Sequence, residues 1–389
     1  MATITAPLDR RKPRAATNPL AHVDVVLLSL PFIISALGLV MIYDASRGET
    51  SRLGLVRTYF VQRQGIALVL GLVAMLVVMA IDYRRIRDMW ALIYALMLPL
   101  LAGVLVLGDA SRGAQAWFQV GPMQFQPSEV SKVGLIIAIA GYCHQHRGEL
   151  DAWRLAVVLG MAGVVMGIVY LQHDLGTMLV MMVCVASMLV VAGIKPVHVG
   201  VLILLGITLV GAAVMTGRLE TYQLERLTAF ADQSNESAAS VSKEDNPAKF
   251  NLDRSKRAIA SGGFTGAGLG KGELTKTGNV PEQHTDFIFT AVGEDLGFLG
   301  AASLLLLYAV LAWRLWRIAV LASDFFGTLV TVGVLAMFTV QVFENVGMTM
   351  GLMPITGIPL PFMSYGGSSV IASFIAIGLV LNIHMRRFS

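Results

Sequence analysis

Residues 25–43 read VVLLSLPFIISALGLVMIY. The stretch carries no charge over 19 residues, close to the roughly 20 apolar residues a helix needs to cross a bilayer. Nine further apolar runs follow: Ile66–Ile81, Trp90–Leu107, Pro127–Cys143, Leu155–Leu171, Leu175–Val191, Val197–Met215, Leu296–Ala312, Phe325–Phe343 and Val370–Ile383. Several are short and must borrow flanking turns to span. Of 389 residues, 56% are hydrophobic and 14% charged, against about 25% charged in soluble domains. That charge is too sparse to coat a soluble surface. The expected fold is an all-α polytopic membrane protein with about ten transmembrane helices and a large extracytoplasmic loop between the seventh and eighth.

Orientation follows from the lysines and arginines of the short loops. With the N-terminus inside, 14 of them fall in cytoplasmic segments, among them Arg10, Arg84, Arg147, Arg314 and Arg386, and 5 in short outer segments, Arg47, Arg52, Arg57, Arg63 and Arg112. The bias predicts both termini inside, with residues 1–23 a cytoplasmic tail and 24–389 one transmembrane domain. The basic residues before the first run could belong to a signal peptide, but the run is long for one and no small-residue cleavage site follows. A net charge of +4 is spread over loops rather than gathered in a patch, which argues against nucleic acid. Cys143 and Cys184 lie in apolar runs and read as inert buried thiols.

Residues 217–285 form a polar stretch of 69 residues, which parity places outside; loops this long translocate largely regardless of charge. Asp232–Pro247 has a disordered composition. Beyond it, SKRAIASGGFTGAGLGKG at Ser255–Gly272 invites a phosphate-loop reading. The spacing fails, because Thr265 stands where the first glycine belongs and Gly272 where Ser or Thr should follow Lys271. Two readings remain: a solvated turn, or a flexible backbone that meets phosphate oxygens through N–H groups and the cations Lys256, Arg257 and Lys271. Asp286 lies where the loop enters the eighth run. It suits either a helix N-cap or a partly desolvated carboxylate acting as a base. His284 and Asp286 are too few for a metal site on their own.

Glu129 and Lys132 stand three apart in the fourth run, on one helical face, and ionisable residues at membrane depth mark a structural pair or a functional pathway. Asp174, three before Thr177, reads as an N-cap. Glu294, Asp295 and Glu344 read as packing pairs or cavity linings. Asn345–Ser369 is apolar, yet Pro354, Pro359 and Pro361 forbid a continuous helix. Broken backbone at membrane depth must be buried by protein or line a cavity, so a re-entrant element is expected here.

Pro354–Ser369, together with RGAQAW at 112–117, QPSEVSK at 126–132, DLGT at 174–177, ERLTAF at 225–230 and PEQHTDFIF at 281–289, resembles the SEDS family of shape, elongation, division and sporulation proteins. The resemblance covers nearly the whole chain. NVGMTMGLMPITGIPLPF leans toward its RodA branch rather than its FtsW branch. It implies a peptidoglycan glycosyltransferase that polymerises lipid II at the outer face of the bacterial cytoplasmic membrane in cell elongation and shape maintenance, beside a class B penicillin-binding protein. It implies Asp286 as the catalytic aspartate and Glu129 with Lys132 as a functional pair. Arg112, Lys256, Arg257, Lys271, His284 and Ser364 complete the candidate substrate-binding set. Two residues depart from the family pattern: Ala116 replaces a frequent arginine, and His173 the usual proline.

The implied reaction is an inverting displacement in which a sugar hydroxyl attacks an anomeric carbon and a pyrophosphate leaves. It needs a base, and cations or a divalent metal (magnesium or manganese) on the leaving group; Asp286 serves as base or as metal ligand. The rival readings are a lipid II flippase, which broken helices and intramembrane charges suit, and a non-catalytic scaffold for the penicillin-binding protein.

Overall fold

The computed structural model describes residues 22–111, 114–120, 123–148, 151–194, 197, 247–278, 280 and 282–388. The helices are α1 Val25–Ala45, α2 Arg47–Arg52, α3 Tyr59–Ala80, α4 Tyr83–Asp88, α5 Trp90–Leu107, α6 Pro127–Gln145, α7 Ala152–Leu171, α8 Leu175–Val191, α9 Pro247–Gly262, α10 Glu273–Thr277, α11 Ile288–Leu321, α12 Phe325–Met350 and α13 Gly367–Met385. Seven are long and apolar enough to cross a membrane: α1, α3, α5, α7, α11, α12 and α13. Shorter α8 is apolar too, and α6, with 19 residues, contains the charged pair Glu129 and Lys132. The chain is a polytopic helical membrane protein. The seventh run beyond Val197, ERLTAF, most of the stretch read as disordered and Arg112 lie outside the described residues.

Burial sorts the bundle into inner and outer helices. On α6 and α13 nearly every residue is buried, whereas α3 and α5 leave Val69, Leu76, Leu96 and Val106 exposed. An exposed leucine costs little against lipid and much against water, so the outer ring carries the lipid-facing apolar surface. Glycine sets the closest inner approaches. A Cβ on Gly378 of α13 would meet the Met75 carbonyl of α3 at 2.9 Å, and one on Gly38 of α1 the Met363 carbonyl at 2.7 Å.

Two features add to the all-helical expectation. Asp109–Ser111, Ala114–Val120 and Met123–Phe125 (β1, β2, β3) form a small antiparallel meander between α5 and α6. Ala116 is buried in β2, so the position where the family often has arginine faces inward here. The long polar stretch also contains helix: α9 places Leu252, Ser255, Ala258 and Gly262 on its buried face and packs on α11 and α12. All of these elements lie at the loop-bearing end of the bundle.

Candidate active site

Helix α11 does not run straight. Gly297 holds φ 65° and ψ −163° inside α11, a conformation open essentially to glycine. The kink frees carbonyls of the preceding turn, and the glycine run supplies their donors. The Ala267 amide donates to the Glu294 carbonyl at 3.0 Å and that of Gly268 to the Asp295 carbonyl at 2.9 Å. In return Phe298 and Leu299 donate to the carbonyls of Gly263 and Phe264. Gly270 donates to Asp44 Oδ2 at 2.8 Å and Gly272 to Asp295 Oδ1 at 3.1 Å.

Of the two readings of this loop, a solvated turn or a backbone that meets phosphate oxygens, the second finds most of its amides already taken. The amides of Gly266, Ala267, Gly268, Gly270, Lys271 and Gly272 are committed to protein acceptors. Lys271 and Arg257 are exposed and Lys256 half-buried. The residue before Lys256 fixes the helix that carries it: Ser255 Oγ lies 2.6 Å from Thr290 Oγ1 and donates to the Thr349 carbonyl at 2.8 Å.

Glu294 closes the same loop. It accepts from the Leu274 amide at 2.9 Å, and from the Thr275 amide and hydroxyl at 2.8 and 2.6 Å. Thr275 Oγ1 in turn accepts from Gln283 Nε2 at 2.8 Å. Glu294 is thus neither a packing pair nor a cavity lining but the acceptor that folds α10 onto α11.

Asp286 is half-buried and stands one residue before the cap of α11, which is Phe287. The N-cap reading of Asp286 is therefore displaced by one position. Its main chain is pinned from below. Asn345 Nδ2 donates to the Asp286 carbonyl at 2.7 Å and to the Ile358 carbonyl at 2.8 Å. Ile358 belongs to the proline-rich segment, which contains no helix between Met350 and Gly367. Its broken backbone is buried and satisfied by side chains: Tyr308 OH donates to the Pro361 carbonyl at 2.6 Å, and Gln64 Nε2 to the Ser364 carbonyl at 3.0 Å.

His284 and Ser364 serve this scaffold. The His284 ring packs 4.4 Å from Phe60 and 5.5 Å from Tyr365, with Nδ1 3.1 Å from Glu49 Oε2. Ser364 Oγ accepts from the Leu360 amide at 2.8 Å. Among the described residues no group of three or more His, Cys, Asp or Glu could hold a metal ion, so Asp286 and the engaged His284 do not form a metal site from protein donors alone.

Below this level Lys132 Nζ meets Glu129 Oε1 at 2.8 Å, with side chains 2% and 5% exposed. Asp174 caps α8 through the Thr177 amide at 3.0 Å, as expected, and its second oxygen accepts from Gln126 Nε2 and Ser128 Oγ at 2.9 and 3.0 Å. The QPSE and DLGT segments are thereby one hydrogen-bonded unit. His173 holds φ +62°, a value closed to proline, whose ring fixes φ near −65°. Sequence reasoning missed Asn345, Ser255 and Thr275. Of these, two had a signal: Asn345, a polar residue opening an apolar segment, and Ser255, on a helical stripe with Leu252, Ala258 and Gly262.

The buried inner helices, the buried broken segment and the lipid-facing outer ring define a multi-pass helical membrane protein. The FtsW/RodA/SpoVE family of cell cycle proteins matches residues 24–388, and the chain belongs to this family, the SEDS proteins. It is 34% identical to stage V sporulation protein E of Bacillus subtilis, over 92% of this chain and 96% of that one. It is 36% identical to the probable peptidoglycan glycosyltransferase FtsW of Thiomicrospira cyclica, over 92% and 90%. Thermus thermophilus rod shape determining protein RodA superposes with a TM-score of 0.69 at 30% identity, covering 94% of this chain and 98% of that one. A chain from a peptidoglycan synthase complex, described as coordinating polymerization and crosslinking, gives 0.78 at 32%, covering 94% and 99%. These similarities do not separate the RodA and FtsW branches.

Proposed function

We propose that this chain is a peptidoglycan glycosyltransferase that polymerises lipid II at the outer face of the bacterial cytoplasmic membrane, in cell elongation. The observation that carries the reading is the setting of Asp286, a half-buried carboxylate at the mouth of the bundle with its main chain fixed by Asn345. The glycosyltransferase names of its relatives and the synthase-complex neighbour support it. In this reading both termini are cytoplasmic, residues 217–285 lie outside, and a class B penicillin-binding protein cross-links the product.

The acceptor sugar hydroxyl attacks the anomeric carbon of the donor, and its proton passes to the Asp286 carboxylate as the bond forms. The C–O bond to the pyrophosphate breaks on the opposite face, inverting the configuration. A positioned base of this kind contributes roughly 100- to 10,000-fold. The leaving pyrophosphate gathers negative charge that Lys271, Lys256, Arg257 and Arg112 stabilise. The Glu129–Lys132 pair shapes the floor of the site. That buried pair also suits a lipid II flippase, the second reading.

Purified protein with lipid II and a penicillin-binding partner, compared with Asp286→Asn, tests the proposal. Glycan chains from the wild type alone support it. Chains from both proteins remove Asp286 as base. Moved monomers without chains favour the flippase, and neither product favours the scaffold.

A further inference from the structure

Two helices measure the depth of the glycine-rich turn. Asp24 caps α1, and Arg314 of α11 donates to it through Nε at 3.0 Å, so both helices meet one membrane edge at that level. Asp44 lies 20 residues further along α1, about 30 Å at 1.5 Å per residue, which is the thickness of the hydrocarbon core. The Gly270 amide donates to Asp44 Oδ2 at 2.8 Å, and Arg47 Nη1 to the Gly270 carbonyl at 3.4 Å. Gly270 therefore sits at the far edge. Phe298 opens the straight part of α11, 16 residues before Arg314, about 24 Å from the near edge and so about 6 Å inside the far one.

The turn follows α11 to that depth. The amides of Phe298 and Leu299 donate to the carbonyls of Gly263 and Phe264 at 3.0 and 3.1 Å. The Phe264 ring stacks on that of Phe298, with centroids 5.7 Å apart and 20° between the planes. Neither ring is covered: Phe264 is 63% and Phe298 61% exposed, and Leu269, beside Gly270, is 54% exposed. From Phe298 the exposed side chains Leu299, Leu305, Leu306, Trp313 and Trp316 continue along α11, the lipid-facing surface of a span with its tryptophans at the near interface. Phe264 extends that surface. The backbone agrees, because non-helical chain at apolar depth needs protein partners for its amides. Those of Gly266, Ala267 and Gly268 have them at the carbonyls of Gly262, Glu294 and Asp295. Lys271, one residue past the far edge, is exposed at the level of the lipid phosphates.

We propose that Phe264 and Leu269 anchor the glycine-rich turn in the bilayer leaflet on the loop-bearing side. The Phe264 ring lies among the upper acyl chains, about 5–10 Å deep as in other interfacial segments, and the Lys271 ammonium stays with the headgroups. The turn is thus neither solvated nor a protein-docking face; its partner is lipid. An anchored turn holds Lys271 at the height where a lipid-linked pyrophosphate leaves the membrane. That use rests on the role of Lys271 proposed above; the anchor itself does not.

Nitroxide accessibility in the full-length protein in nanodiscs tests the anchor, with Cys143→Ala and Cys184→Ala as background. Labels are attached to Phe264→Cys, to Lys271→Cys and, as a mid-membrane standard, to Leu306→Cys. The expected result is strong collision with oxygen and weak collision with a water-soluble nickel chelate for Phe264→Cys, as for Leu306→Cys, and the reverse for Lys271→Cys. Nickel access in Phe264→Cys equal to that in Lys271→Cys makes the turn solvated and overturns the proposal. Low access to both reagents means that protein covers the ring, and overturns it equally. Leu269→Cys makes the same test at the membrane edge if Phe264→Cys does not accumulate, with nickel access below that of Lys271→Cys expected and equal access overturning the anchor. Polymerisation by Phe264→Ser is read separately: a several-fold rise in KM for lipid II with kcat retained supports the use of the anchor. An unchanged KM, or a wild type without polymerase activity, overturns that use while the depth result stands.

Discussion

The side-chain amide of Asn345 reaches the main-chain carbonyl of Asp286 at 2.7 Å and, with the same nitrogen, the carbonyl of Ile358 at 2.8 Å. One residue of α12 thereby sets the distance between the carboxylate at the bundle mouth and the broken segment beneath it. Asn345→Leu leaves two buried carbonyls without a donor, at about 1–3 kcal/mol each. The expected outcome is a clear fall in the melting temperature in detergent, with a larger proportional loss of glycan product. A variant that melts normally and polymerises normally removes the clamp from the account.

Glu129 and Lys132 should behave as a unit. Removing either partner alone strands a buried charge, which costs about 3–5 kcal/mol. Glu129→Gln and Lys132→Met should each lower the folded yield measured by size-exclusion chromatography, and the double variant should recover much of it. If the double variant folds well and still makes no glycan, the pair has a role beyond packing.

Gly297 and Gly266 should tolerate no side chain. At Gly297 the backbone sits at φ 65°, and a Cβ would lie 2.2 Å from the Gly266 amide nitrogen; at Gly266 one would lie 2.2 Å from the Asp295 carbonyl. Gly297→Ala should destabilise by more than about 1 kcal/mol from strain alone. Its signature in hydrogen exchange is deprotection of residues 263–275 before any other part of the chain.

Glu294→Gln tests the loop anchor. The carboxylate takes three bonds from Leu274 and Thr275, and bonds to a charged group are worth about 1.5–3 kcal/mol each. Exchange in residues 273–283 should quicken while the transmembrane peptides stay unchanged. Equal protection in both proteins would show that α10 is held by other contacts.

The spans were legible because apolar length at low charge has one physical solution in a bilayer. The Glu129–Lys132 pair and the Asp174 cap were legible because their spacing is local, three residues in each case. The break in the helix after Met350 was legible because proline removes donors whatever surrounds it. The state of the glycine run was not. Its amides find their acceptors at Glu294 and Asp295, some 27 residues further along, and that pairing exists only because Gly297 bends the helix. Helix α9 carried a readable signal in Leu252, Ser255, Ala258 and Gly262, spaced three and four apart. The meander at 109–125 is too short for strand alternation to stand out. Asn345 opened the family-like segment, but its partners lie on two separate stretches of backbone.

The kink in α11 also imposes an order on biogenesis. The glycine-rich turn leaves the ribosome before Glu294, Asp295 and Gly297, yet those residues hold the acceptors its amides need. The turn therefore cannot settle as it emerges. It must wait, hydrated, until α11 has entered the bilayer and bent, so that insertion of a helix completes the folding of the loop that precedes it.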